Sequence, residues 1–272
     1  GDEPNTSLAG YSLADAEADP EFHQRFPMYQ PTPLAALPET AKMLGVGEIY
    51  VKNESHRFGL NAFKVLGGSY AIGNILAGKL GKPLSETGYA VLTSPETKEA
   101  LGDITFITAT DGNHGRGVAW TATTLGQKSV VHMPRGSAPE RLHNIQAAGA
   151  NADIIAGNYD DAVRLSRKEA AENGWVVVQD TSWPGYEQIP GWIMQGYCTM
   201  GLEAYEQLPQ KPTHIFLQAG VGSMAGTIAA LFASIYGEDR PKVIIVEPNN
   251  ADCFYRTAAA NDGKTHIVTG EM

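Results

Sequence analysis

The stretch TFITATDGNHGRGVAWTATTL, Thr105 to Leu125, decides the fold. TFITAT is an apolar run of strand length, whereas Val118, Ala122 and Leu125 follow at i, i+4 and i+7, the spacing of one helix face. Between them the chain turns through Asp111, Gly112, Asn113, His114 and Gly115. Either Asp111 or Asn113 can cap the helix, and capping needs only one of them. Two short polar side chains, a histidine and glycines at 112, 115 and 117 imply a backbone pressed against something flat or charged.

The same strand-to-helix change of period recurs on both sides. EIYVKNE (48–54) predicts a strand before a helix from about Phe63 to Ala77. SVVHM (129–133) precedes a helix at Pro139–Ala148, and ADIIAG (152–157) precedes one at Asp160–Glu172. WVVVQD (175–180) leads into a long helix with Ile189, Ile193, Tyr197 and Met200 on one face. HIFLQ (214–218), a helix over Ser223–Tyr236, and KVIIVEP (242–248) complete the series. Apolar strands that each return through a helix predict parallel sheets covered on both faces, an α/β fold. No internal repeat, low-complexity tract or clear linker interrupts it.

Composition narrows the partners. With Lys plus Arg 20 and Asp plus Glu 30 the net charge is −10, and no basic run could track a phosphate backbone, so nucleic acid is not expected as a partner. No apolar run is long enough to cross a bilayer. The opening residues are acidic and polar where a secretion signal is basic and then apolar, which predicts a soluble, cytoplasmic protein. Cys198 and Cys253 form no C-x-x-C pair and join no histidine at ligand spacing, so two free thiols and no metal are expected.

In such sheets ligands sit beyond the carboxyl ends of the strands. There AGVGSMAGTIAA (219–230) opens a helix with Gly220, Gly222 and Gly226, so that the amides of Val221, Gly222, Ser223 and Met224 can converge on an anion. It lacks the Lys-Ser/Thr of a nucleotide-triphosphate loop. It fits a dinucleotide fingerprint loosely, with Glu247 where a ribose-binding acid could stand, which leaves a nicotinamide or flavin oxidoreductase open. Lys64, between Phe63 and the run Val65, Leu66, Gly67 and Gly68, sits in apolar company. Burial favours the neutral amine, the nucleophile that forms a Schiff base with an aldehyde. Such a lysine, a separate phosphate cradle and a polar glycine-rich loop together describe a pocket for pyridoxal phosphate.

NAFKVLGGSYA (61–71), TATDGNHGRGVAW (108–120), QAGVGSMAG (218–226) and VEPNNADC (246–253) resemble the four signature segments of fold-type-II pyridoxal-phosphate enzymes. Within that group the chain most resembles the diaminopropionate ammonia-lyases. The related threonine and serine dehydratases usually carry serine, threonine or alanine where Asp111 stands, and GNYDDAV (157–163) and VQDTSW (178–183) also look like the lyases. The resemblance implies that Lys64 holds the cofactor aldehyde and Asn113 bonds the ring hydroxyl oxygen. The amides from Gly220 through Val221, Gly222 and Ser223 to Met224 hold the phosphate. His114, Tyr159 and Asp180 become substrate-side contacts. Lys64 and Asp111 become the catalytic bases in an α,β-elimination of ammonia from 2,3-diaminopropionate that yields pyruvate.

The resemblance further implies two α/β domains, residues 1–76 with 209–272 forming the larger and 77–208 the smaller, assembled as a homodimer. The chain stops at HIVTGEM, before the family's segment that bonds the pyridine nitrogen, as a fragment or a shortened homologue would. In a shortened form, apolar surface should be left uncovered. The alternatives to the lyase are a threonine or serine dehydratase, the dinucleotide oxidoreductase, and a shortened, inactive homologue that only binds the cofactor or a partner.

Overall fold

The computed structural model describes residues 10–13, 21–110, 112–264 and 266. Strand β1 (Leu34–Ala36) is followed by helix α1 (Pro38–Leu44) and strand β2 (Tyr50–Lys52), which folds back antiparallel on β1. A kinked turn over Glu54–Gly59, with Phe58 at φ 49°, delivers the chain to α2 (Lys64–Lys79). Two short helices, α3 (Tyr89–Leu92) and α4 (Pro95–Leu101), lead to β3 (Thr105–Ala109) and α5 (Asn113–Thr124). Then β4 (Lys128–Met133), α6 (Pro139–Ala147), β5 (Asn151–Ile154), α7 (Tyr159–Asn173) and β6 (Val176–Val177) alternate as the sequence predicts. These strands form one parallel sheet in the order β5-β4-β3-β6. Helices α8 (Gln188–Gly196) and α9 (Cys198–Gln207) precede β7 (His214–Gln218), α10 (Ser223–Tyr236), β8 (Lys242–Val246) and α11 (Cys253–Ala260), with β7 and β8 parallel.

Helix α2 is the central post. Leu66, Ile72 and Leu76 are fully buried, and α5 and α8 flank it. Small residues let the three backbones approach. A Cβ on Gly67 would lie 2.7 Å from Ile193, one on Gly117 would lie 2.9 Å from the Cα of Val65, and one on Gly196 would lie 2.3 Å from the Leu66 carbonyl oxygen. The first turn of α2 is thereby held against both neighbours, which fixes where Lys64 emerges.

A buried ion cluster ties distant segments to this post. Arg57 reaches Glu203 on α9 at 2.7 Å and Glu54 at 2.8 Å, while Lys52 also reaches Glu203 at 2.7 Å. The Tyr29 hydroxyl donates to Glu203 at 2.7 Å. Burial raises the Glu203 carboxyl, but hydrogen bonds and charge from Arg57 outweigh it and hold it at about 2.

The α/β class stands, with four corrections of detail. EIYVKNE contributes an antiparallel strand, because its partner is the three-residue β1, too short to register as a pattern. WVVVQD contributes only Val176–Val177 as strand, for reasons given below. The long helix divides at Tyr197 into α8 and α9. The β7–β8 pair is covered on one face only among the described residues: Phe216, Ile244 and Val246 face outward and are exposed.

Candidate active site

Lys64 is the first residue of α2, and its Nζ donates to Asp180 Oδ2 at 2.6 Å. The lysine side chain is 24% exposed and that of the aspartate 8%. Burial raises the Asp180 carboxyl, yet His114 and then Lys64 outweigh burial and hold it at about 2, so it is ionised at neutral pH. Lys64 thus emerges at ion-pair distance from a buried carboxylate.

His114, on the first turn of α5, is 4% exposed. Its Nε2 lies 2.8 Å from the Val178 carbonyl, which can only accept, so this nitrogen carries a proton. Its Nδ1 faces Asp180 at 4.0 Å and has no hydrogen-bond partner among the described residues. The Tyr197 hydroxyl is likewise buried without a partner. Burial pushes that phenol up to about 12, with Lys64 pulling against it.

Asp180 reaches Lys64 because the β3–β6 ladder opens just before it. Val178 N–H still donates to the Ile107 carbonyl at 2.9 Å. In an unbroken parallel ladder the Ala109 N–H would next donate to Val178. Instead the Val178 carbonyl takes His114, and the Ala109 N–H goes to the side-chain oxygen of Gln179 at 3.0 Å. The Gln179 amide also donates to Tyr159 Oη at 2.7 Å. Tyr159 opens α7, which Asn158 and Asp161 cap reciprocally.

The glycine turn lies on the far side of Asp180. Gly222 takes φ 90°, and a Cβ there would lie 2.2 Å from Phe254, so both conformation and space require glycine. A Cβ on Gly220 would meet nothing within 4 Å, so open space lies over the turn. Ser223 starts α10, and its hydroxyl approaches the Asp180 carbonyl at 3.4 Å. The first amides of a helix lack intrahelical partners and point at that space.

Of the residues singled out in the sequence, Lys64, His114, Asp180 and Ser223 form one connected group, with Tyr159 joined through Gln179. Asn113 is exposed on the first turn of α5, next to His114. Asp111 lies outside the described residues. Of the two expected capping side chains, Asn113 does not cap α5 and Asp111 is not described; Thr110 Oγ1 accepts from Gly112 N at 3.0 Å and Gly115 N at 3.1 Å. Glu247 is also corrected as a ribose ligand, because its two oxygens accept the Phe254 and Tyr255 amides at 3.0 Å, at the start of α11. Sequence reading missed Gln179, Tyr197 and Thr110, whose residue types carry no signal of a site by themselves. Both cysteines are free, and no cluster among the described residues could hold a metal.

These residues fit pyridoxal phosphate. A lysine amine is present for the aldehyde, a helix-opening glycine turn for the phosphate, and two buried polar atoms, His114 Nδ1 and the Tyr197 hydroxyl, stand beside them unmatched. Comparison with known proteins agrees. The chain is 53% identical over 255 residues to the diaminopropionate ammonia-lyase of Salmonella typhimurium, covering 92% of this chain and 63% of that protein. It superposes on the Escherichia coli diaminopropionate ammonia lyase, solved in complex with D-serine, with TM-score 0.90 and 46% identity, over 97% of this chain and 67% of that one. A chloroplastic threonine dehydratase of Solanum lycopersicum is 27% identical over 82% of this chain and 31% of its own length. The chain thus spans about 63% of the length of the curated lyases it matches. Residues 26–270 match the family of pyridoxal-phosphate dependent enzymes, and the chain belongs to that family.

Proposed function

We propose that the protein eliminates ammonia from 2,3-diaminopropionate, with pyridoxal 5'-phosphate as cofactor, giving pyruvate and ammonia. The observation that carries this reading is the 2.6 Å contact between Lys64 Nζ and Asp180, whose backbone adjoins the glycine turn through Ser223. Likeness to the Salmonella typhimurium and Escherichia coli lyases supports the choice of substrate.

Lys64 would hold the aldehyde, the amides of Gly220, Val221, Gly222, Ser223 and Met224 would hold the phosphate, and Asn113 would bond the ring hydroxyl oxygen. When bound, the cofactor withdraws electrons from an attached amino acid and acidifies its α-hydrogen. Once the substrate amine has displaced it, Lys64 Nζ, freed as a neutral amine, would take that proton from one face, with ionised Asp180 beside it to balance the charge gained. Asp111 takes the proton of the opposite enantiomer or assists the departing β-amino group, while His114 and Tyr159 contact the substrate. A homodimer and a cytoplasmic location belong to the same proposal and rest on resemblance. So does the division into residues 1–76 with 209–272 and residues 77–208. It is supported by the four-stranded sheet lying wholly between Thr105 and Val177.

Pyruvate release tests the reading. Both enantiomers of 2,3-diaminopropionate are supplied to the wild type and to Asp111→Asn, with serine and threonine as controls. Wild-type release from 2,3-diaminopropionate is expected, and Asp111→Asn should slow one enantiomer about 100-fold more than the other. Release from serine or threonine alone would overturn the substrate. Equal loss for both enantiomers, or no loss, would overturn the role of Asp111.

A further inference from the structure

Two side chains occupy the opening of the β3–β6 ladder: His114 takes the Val178 carbonyl and Gln179 takes the Ala109 amide. Gln179 is 1% exposed, and its carboxamide faces the backbone of Ala109 as a neighbouring peptide would. Oε1 accepts from Ala109 N at 3.0 Å and Nε2 donates to Ala109 O at 3.1 Å, a pairing that fixes which end of the amide is oxygen. Oε1 also accepts from Thr108 Oγ1 at 3.0 Å. Nε2 also donates to Tyr159 Oη at 2.7 Å, so the phenolic hydrogen points away from Gln179, and Asp180 Oδ1 lies at 3.5 Å. From the other side the Tyr186 hydroxyl accepts from Gln179 N at 2.7 Å and donates to the Val177 carbonyl at 3.1 Å. Tyr186 is itself held by stacking on Trp183, with ring centroids 4.1 Å apart. Every donor and acceptor of the carboxamide is thereby used, and the bonds tie the carboxyl end of β3 and the first residue of α7 to the residue that precedes Asp180, the partner of Lys64.

We propose that Gln179 is a positioning residue for the elimination proposed above. Its side chain replaces one step of the parallel ladder, sets the spacing between the carboxyl end of β3 and the segment bearing Asp180, and holds Tyr159 in register with both. The inference rests on that functional reading for its kinetic consequence and on the geometry alone for its structural one. Shortening the gap by a side-chain width would restore the ladder and draw Asp180 toward β3, away from Lys64. Displacement of reacting groups by about 1 Å costs on the order of 100-fold in rate.

Two variants separate positioning from plain stabilisation. Gln179→Met keeps the length and loses every bond; Gln179→Glu keeps the two acceptances and, ionised, loses both donations. Each is loaded with pyridoxal phosphate, the loaded fraction is read from visible absorbance, and kcat per loaded chain is compared with KM for 2,3-diaminopropionate. Positioning expects kcat per loaded chain to fall by about tenfold or more in both, with KM changed less than about threefold. Rates that merely follow the loaded fraction would overturn it. Hydrogen exchange supplies a readout independent of activity: in Gln179→Met the Ala109 amide should exchange about tenfold faster while β5 is unchanged. Unchanged exchange at Ala109 overturns the proposal whatever the kinetics. A wild type that binds the cofactor but releases no pyruvate would defeat the reaction, and the exchange result would then decide the role of Gln179.

Discussion

At the scale of single residues, the site is an ion pair waiting beside an anion cradle. Asp180 is held at about 2, below the ordinary carboxylate value near 4, because His114 and Lys64 outweigh the burial that raises it. A depressed carboxyl contributes stability that is fully present above its unfolded value and is lost as pH falls through the folded value. Asp180→Asn should therefore lower the unfolding free energy by about 1–2 kcal/mol at pH 7, allowing for the partly exposed lysine. The deficit should shrink as pH falls below about 4. Urea unfolding of both proteins at several pH values measures this, and a deficit independent of pH would contradict it. Lys64 was legible in the sequence because an isolated charge in an apolar run is conspicuous. Its contact with Asp180 was not, since the partner stands 116 residues away and only the fold brings it to 2.6 Å. Gln179 and Tyr197 were illegible for a related reason: their roles arise from what they meet, namely the Ala109 backbone and the Lys64 pocket.

At the scale of elements, α2 carries Lys64 between α5 and α8 at backbone distance. Gly196→Ala would set a Cβ 2.3 Å from the Leu66 carbonyl oxygen, an atom that cannot turn aside as a flexible side chain can. It should cost about 1–3 kcal/mol by overpacking. Gly78→Ala, in the same post but with nothing within 4 Å, should instead stabilise the helix by about 0.5–1 kcal/mol. Thermal unfolding midpoints that move in the same direction for both would contradict this packing account. Element types were readable from period, and the order β3-α5-β4-α6-β5-α7 follows the sequence closely. The end of WVVVQD was not readable, because its backbone ladder yields to the Gln179 side chain and to His114.

At the scale of the whole molecule, chain segments far apart in sequence are locked by the buried cluster of Arg57, Glu54, Glu203 and Lys52. Removing one member leaves an uncompensated buried charge. Arg57→Met should destabilise by about 3–5 kcal/mol, and adding Glu203→Leu should cost less than the sum of the two single changes. Strict additivity in urea unfolding would contradict the coupling. None of these partners was legible beforehand, since charged residues scattered along a sequence look solvated until packing buries them. The fold class was legible in the α/β periodicity, which also singled out Lys64 and the glycine turn as residues at strand-to-helix junctions. The most direct measurement loads the protein with pyridoxal phosphate, reduces it with borohydride and maps the modified peptide by mass spectrometry. The account expects the pyridoxyl group on Lys64, and none in Lys64→Ala; modification of a different lysine, or an unchanged yield in Lys64→Ala, would contradict it.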